Sequence, residues 1–224
     1  WFSVKLAKKF PGTPALIKAV TKAPKIRYRP AVKNSVPVCK NISCNFAGKL
    51  FLIDDLSSKL ALTYTSIRTI LCNLCDDDII LRVCRGVYYY PSSAHSKTCP
   101  SIIEILKYLS IKGNYQICPT GDYLEYCLGI RKENPNNITC YTTGKLKSLK
   151  LYTKTLVKFV PRKRNVYMGI CPWNVMLLAQ YITDNSTAIE QKKMLLTHYV
   201  QRQNITTSDI ANLPDEIRKK ILIL

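Results

Sequence analysis

Thr63-Tyr64-Thr65-Ser66-Ile67-Arg68-Thr69-Ile70-Leu71-Cys72-Asn73-Leu74-Cys75 is the stretch whose reading decides the fold. Ile67, Ile70, Leu71, Leu74 and Cys75 recur at i, i+3, i+4, i+7 and i+8, which lines up one apolar face of a helix. Thr63 stands where an N-cap is needed. The opposite face carries Thr65, Ser66, Arg68, Thr69, Cys72 and Asn73. Upstream, Phe46, Leu50, Phe51 and Leu52 give a short apolar entry, and Asp54 reads as the cap of a short helix over Asp55 to Leu60. A turn through Ala61 and Leu62 joins the two, which makes a helix-turn-helix. Downstream, Ile79 to Tyr90 places branched and aromatic residues on both sides of Arg85-Gly86, the pattern of a β-hairpin. Pro91 ends it, because proline cannot donate to a ladder. A hairpin directly after the second helix is the wing of a winged helix, spanning 45–91.

In such a unit the start of the second helix enters the major groove of DNA, while the wing lies against backbone or minor groove. That casts Thr63, Tyr64, Thr65 and Arg68 as groove-facing residues. Arg68 suits a guanine edge, a contact worth about 1–3 kcal/mol of discrimination. Arg82 and Arg85, on the wing, suit phosphates and set register. Residues 51–90 nevertheless hold four basic side chains against five acidic ones, so a positive field has to come from elsewhere in the chain. Asp76, Asp77 and Asp78 fall at the far end of the second helix, where its dipole disfavours anions. Winged helices also dock proteins, and that alternative stays open.

Outward from this core, residues 92–224 read as a mixed α+β module. A helix starts at Pro100 with Ile102, Ile105, Leu106 and Leu109 on one face, and Asn114 to Pro119 is strand-like. Thr120 to Leu128 is a short helix closed by Gly129. Ile138–Thr142, Leu149–Tyr152 and Leu156–Val160 read as strands, with Gly144 in a turn. Three helices follow near 172–182, 188–202 and 207–222. The fold class is therefore α+β, a winged helix-turn-helix followed by a mixed module that ends in helices. In the other direction, residues 1–50 contain eleven Lys or Arg, five prolines and no Asp or Glu. Residues 1–44 thus form a basic arm, poorly ordered, which either wraps a phosphate backbone or is a solvated tail.

The whole chain carries 34 Lys and Arg against 14 Asp and Glu, a formal +20, which favours a polyanionic partner. No apolar run approaches the roughly 20 residues of a membrane span, and the basic start lacks the apolar core of a secretory signal. The expectation is a cytoplasmic protein. Ten cysteines permit a disulfide framework by count, but they are scattered through apolar strings as small hydrophobes are. Cys72 and Cys75, with Cys39 and Cys44 upstream, are one zinc possibility, and free thiols are the preferred reading. His95 and His198 are far apart in the chain. No phosphate loop, nucleophile elbow or carboxylate pair is evident, so neither a catalytic residue nor a cofactor or metal is expected. A thiol- or metal-dependent hydrolase or nuclease using Cys72, Cys75 and a histidine is the rival from the enzyme class. Pro161-Arg162-Lys163-Arg164 is either a phosphate contact or an exposed loop.

The order of these motifs resembles one family. A Gly48-Lys49-Leu50-Phe51 strand leads into Asp54-Asp55-Leu56, and the wing runs Arg82-Val83-Cys84-Arg85-Gly86-Val87-Tyr88-Tyr89-Tyr90-Pro91. Pro119-Thr120-Gly121, Leu128-Gly129-Ile130, Tyr141-Thr142-Thr143-Gly144 and Val157-Lys158-Phe159 follow in order. Over roughly 45–224 the chain resembles the AbiEi-like antitoxins of type IV toxin–antitoxin, or abortive-infection, systems, which act in phage defence. The resemblance implies a protein that represses its own promoter through double-stranded DNA. It also implies a C-terminal module that counters a nucleotidyltransferase-like toxin. The prolines of residues 1–44 and the Asp76–Asp78 run depart from that family's pattern. The alternative is a protein-interaction module with a vestigial winged helix.

Overall fold

The computed structural model describes residues 35–92, 99–162, 167, 169–187 and 189–224. Helix α1 (Ser35–Phe46) forms where Val38, Ile42 and Phe46 recur every fourth residue, and Val38 and Ile42 are buried. Pro37 lies in its first turn, where a missing N–H has no intrahelical acceptor to lose. The expected arm therefore gives way to a helix at residue 35, because that stripe has a core to pack on. Residues 1–34 of the arm lie outside the described residues.

Strand β1 (Lys49–Leu52) runs directly into α2 (Ile53–Ser57). The cap position is Leu52 rather than the expected Asp54. The backbone N–H of Leu52 donates to Asp55 Oδ2 at 2.9 Å, so the acidic residue reaches back from inside the helix. Helix α3 (Tyr64–Asp76) is capped by Thr63 and buries Ile67, Ile70, Leu71 and Leu74, as its periodicity requires. It ends on Asp77, and Asp78 turns the chain with a φ of 55°. Strands β2 (Leu81–Cys84) and β3 (Val87–Tyr90) make the hairpin around Arg85-Gly86, with Gly86 at φ 81°. The three strands form an antiparallel sheet in the order β1-β3-β2.

That sheet is covered on both faces. Tyr88 and Phe51 point into the core made by α1, α2 and α3, with their rings 5.8 Å apart. Val83, Val87 and Tyr89 point the other way, into a second core with Ile102, Ile105 and Leu106. Alternation along a strand explains the Tyr88-Tyr89-Tyr90 run as packing on two sides. Tyr152 N–H donates to the Val83 carbonyl at 2.9 Å and ties the second layer to β2.

The remainder starts with α4 (Ile102–Gly113), which Ser101 and Glu104 cap reciprocally. Then come β4 (Ile117–Thr120), α5 (Asp122–Leu128, closed by Gly129 at φ 77°), β5 (Asn137–Thr142), β6 (Leu149–Lys150) and β7 (Leu156–Pro161). The sheet order is β4-β5-β7-β6, with β5 and β7 parallel and the other pairs antiparallel. Helices α6 (Trp173–Asp184), α7 (Ile189–Arg202) and α8 (Asp215–Leu222) close the molecule around a third core. The expected helix over 207–222 is shorter, since 207–212 are turns and Pro214 opens α8. Arg162 is engaged within the fold: it lies 4.3 Å from the Tyr141 ring and donates to Asp184 Oδ1 at 3.0 Å. The architecture is α+β, as expected, and no helix among the described residues is long and apolar enough to cross a membrane.

Candidate nucleic-acid interface

Helix α3 presents its polar face to solvent because its apolar face is spent on the core. Thr63 serves chiefly as the cap: its Oγ1 accepts from the Ser66 N–H at 3.3 Å and lies 2.9 Å from the Ser66 hydroxyl. The groove-facing role expected of that hydroxyl thus competes with a local one. Tyr64 is 53% exposed, and Thr65 and Arg68 are exposed beside it. Thr69 donates back to the Thr65 carbonyl at 3.0 Å, so it points along the helix rather than outward.

Arg82 on β2 and Arg85 at the hairpin turn are also exposed. None of Arg68, Arg82 and Arg85 forms an ion pair among the described residues. Burial raises the pKa of the Tyr88 hydroxyl, Arg82 pulls it back, and Cys72, Cys75 and Tyr64 push it further up. Arg82 stands opposite Tyr88 in the register of the hairpin, on the strand that follows α3. Arg85 stands apart, at the tip. The five expected side chains other than Thr63 are thus exposed: three on one helix end, two on the adjoining hairpin.

Electrostatics qualify that surface. Residues 35–92 carry six Lys or Arg against five Asp, so this half is nearly neutral. Asp76, Asp77 and Asp78 are exposed, about 18 Å along the helix axis from Tyr64 at 1.5 Å per residue, at the opposite end of α3. The positive field lies elsewhere: from Asn134 to Thr183 there are eight Lys or Arg and no Asp or Glu. Lys145, Lys147, Lys150, Lys154 and Lys158 of that stretch are all exposed.

None of the ten cysteines is in a disulfide, and Cys84, Cys118 and Cys140 are buried. Burial pushes the thiols of Cys75 and Cys84 up to about 11, so neither is a thiolate at neutral pH. Among the described residues no group of three or more His, Cys, Asp or Glu is placed to hold a metal, so Cys39, Cys44, Cys72 and Cys75 do not converge. His95 lies outside the described residues.

Asp55, read from the sequence only as part of a helix start, holds the interface half to the rest of the molecule. Its Oδ2 accepts from Tyr108 Oη at 3.0 Å and its Oδ1 from Lys112 Nζ at 2.6 Å, both on α4. Burial pushes its pKa up, but hydrogen bonds from Lys112, the Leu52 N–H and Tyr108, with the Lys112 charge, outweigh that and hold it below the ordinary value. Partners more than fifty residues away leave no local signal.

The family model DUF6088, described as a family of unknown function, matches residues 37–205. The chain belongs to that family. No curated protein and no solved structure matches it. In this DUF6088 chain the matched region begins within α1 and ends three residues beyond α7, so it takes in every residue of the candidate interface. Both sheets and the Asp55 clamp fall within it too.

Proposed function

We propose that this DUF6088 protein is a cytoplasmic, non-enzymatic DNA-binding regulator whose N-terminal half is a winged helix. The observation that carries the reading is the exposed Arg68, without an ion pair among the described residues, one turn into a capped helix, with Arg82 and Arg85 on the hairpin that follows. The element order α1-β1-α2-α3-β2-β3 with a β1-β3-β2 sheet supports it. In this reading Tyr64, Thr65 and Arg68 face the major groove, and Arg82 and Arg85 hold the backbone. The chain represses its own promoter and acts as the antitoxin to a nucleotidyltransferase-like toxin. That last part rests on the order of motifs it has in common with AbiEi-like antitoxins.

The test is a titration of the full chain against its upstream region and a scrambled control, at two salt concentrations. Preference for the upstream region that survives the higher salt is expected. Arg68→Ala should erase most of that preference, about 1–3 kcal/mol or roughly 5- to 150-fold. Arg85→Ala should weaken binding to both DNAs alike. Equal binding to both sequences that salt abolishes would sink sequence reading. It would favour the second reading, a protein-docking winged helix, which the near balance of charge over 35–92 supports.

A further inference from the structure

On the side of the molecule built by α4, α5, α6 and α7 there is an open cleft of about 850 Å³. Its lining brings together Lys107, Arg131, Lys132 and Arg202 with the aromatic rings of Tyr126 and Trp173. No Asp or Glu is among its described lining residues. Arg131 is taken up by Asp122 at 2.7 Å, but Lys107, Lys132 and Arg202 form no ion pair among the described residues. Three uncompensated cations around one concavity repel each other, and a multiply charged anion relieves that.

The aromatic half narrows the choice of anion. Tyr126 is 37% exposed and stacks on the buried Tyr123, with centroids 6.0 Å apart, so its ring is braced from behind. Lys107 Nζ lies 5.3 Å from the centre of the Trp173 ring, which joins the cationic and aromatic parts at one place. The Trp173 Nε1–H is buried with no hydrogen-bond partner among the described residues. Such a donor is unfavourable, and an acceptor brought in beside it would satisfy it after a small turn of the indole. A bare phosphate would use the cations and leave the rings idle. An apolar ligand would do the reverse.

We propose that this cleft binds a free nucleoside polyphosphate, its base against Tyr126 and Trp173 and its phosphates on Lys107, Lys132 and Arg202. A volume of about 850 Å³ suits one small ligand rather than a passing strand. This site is separate from the α3 and hairpin surface and does not depend on DNA binding there.

The experiment follows Trp173 fluorescence in a Trp1→Phe background, which leaves a single tryptophan. ATP, tripolyphosphate, adenosine and a short single-stranded oligonucleotide are titrated in turn. Saturable quenching by ATP is expected below about 1 mM, with tripolyphosphate and adenosine each at least about tenfold weaker. Lys107→Ala and Arg202→Ala should each weaken ATP about tenfold while the chain stays folded by circular dichroism, and Lys107→Arg should restore most of it. Calorimetric titration of ATP reads the same affinities without relying on the indole. Arg68→Ala should leave all of these values unchanged. Equal affinity for ATP and tripolyphosphate would reduce the site to plain charge and overturn the proposal. So would an oligonucleotide that binds where ATP does not.

Discussion

Gln180 sits fully buried in α6, and neither its amide nitrogen nor its oxygen has a hydrogen-bond partner among the described residues. The residues around it in that helix are buried and apolar for the most part, including Met176, Leu177, Ala179 and Ile182. A buried amide left unpaired costs about 1–3 kcal/mol, whereas an apolar side chain of similar size at the same place costs nothing in desolvation. Gln180→Leu is therefore expected to raise stability by about 1–3 kcal/mol, read as an upward shift of the urea midpoint with an unchanged slope. A fall in the midpoint would mean that the amide has an acceptor or an ordered water of its own. Some residue roles are legible before folding and some are not. Thr63 was legible as a cap, because capping is settled within three residues by a hydroxyl and a neighbouring N–H. Gln180 was not, because α6 is buried almost all round and gives no polar stripe to judge it against.

Among the elements, α3 and the hairpin were legible because each declares itself by period: 3.6 in one, 2 in the other. Helix α1 was hidden by composition, since five prolines and an unbroken positive charge dominate residues 1–50. Its stripe of Val38, Ile42 and Phe46 is short and makes sense only against Phe51, Ile67 and Leu71. Phe46 lies 5.0 Å from Phe51, and Lys59 Nζ lies 5.2 Å from the centre of the Phe46 ring. Ile42, 1% exposed, is the residue that separates a helix from a tail. Ile42→Ala should cost about 2–5 kcal/mol in chemical denaturation, the range for emptying a buried aliphatic site. In a solvated arm the same change should fall within about 0.5 kcal/mol of zero. A value in that lower range would return α1 to the arm.

For the molecule as a whole, the sheet of β1, β3 and β2 belongs to two cores at once, and that sharing was invisible in the sequence. A strand that alternates Tyr with Tyr gives no hint that both faces are covered, and a hairpin read as a wing is expected to be open on one side. The consequence is mechanical: the candidate DNA surface is braced from behind by α4 through Tyr89, Ile102, Ile105 and the Asp55 clamp. The clamp is the part of this brace that responds to pH. Asp55 is held below its ordinary value in the folded protein, so its contribution is fully present above the unfolded value near 4. It is lost as pH falls through the folded value, when the carboxylate takes a proton and stops pairing with Lys112. Asp55→Asn removes the charge at every pH and keeps the shape. The wild-type protein should therefore melt above this variant at pH 7, and the gap should close as pH falls below about 4. If the two melting curves stay equally far apart from pH 7 down to pH 3, the Lys112–Asp55 pair is not what holds α2 to α4. Apolar packing across β1 and β3 would then be the brace by itself.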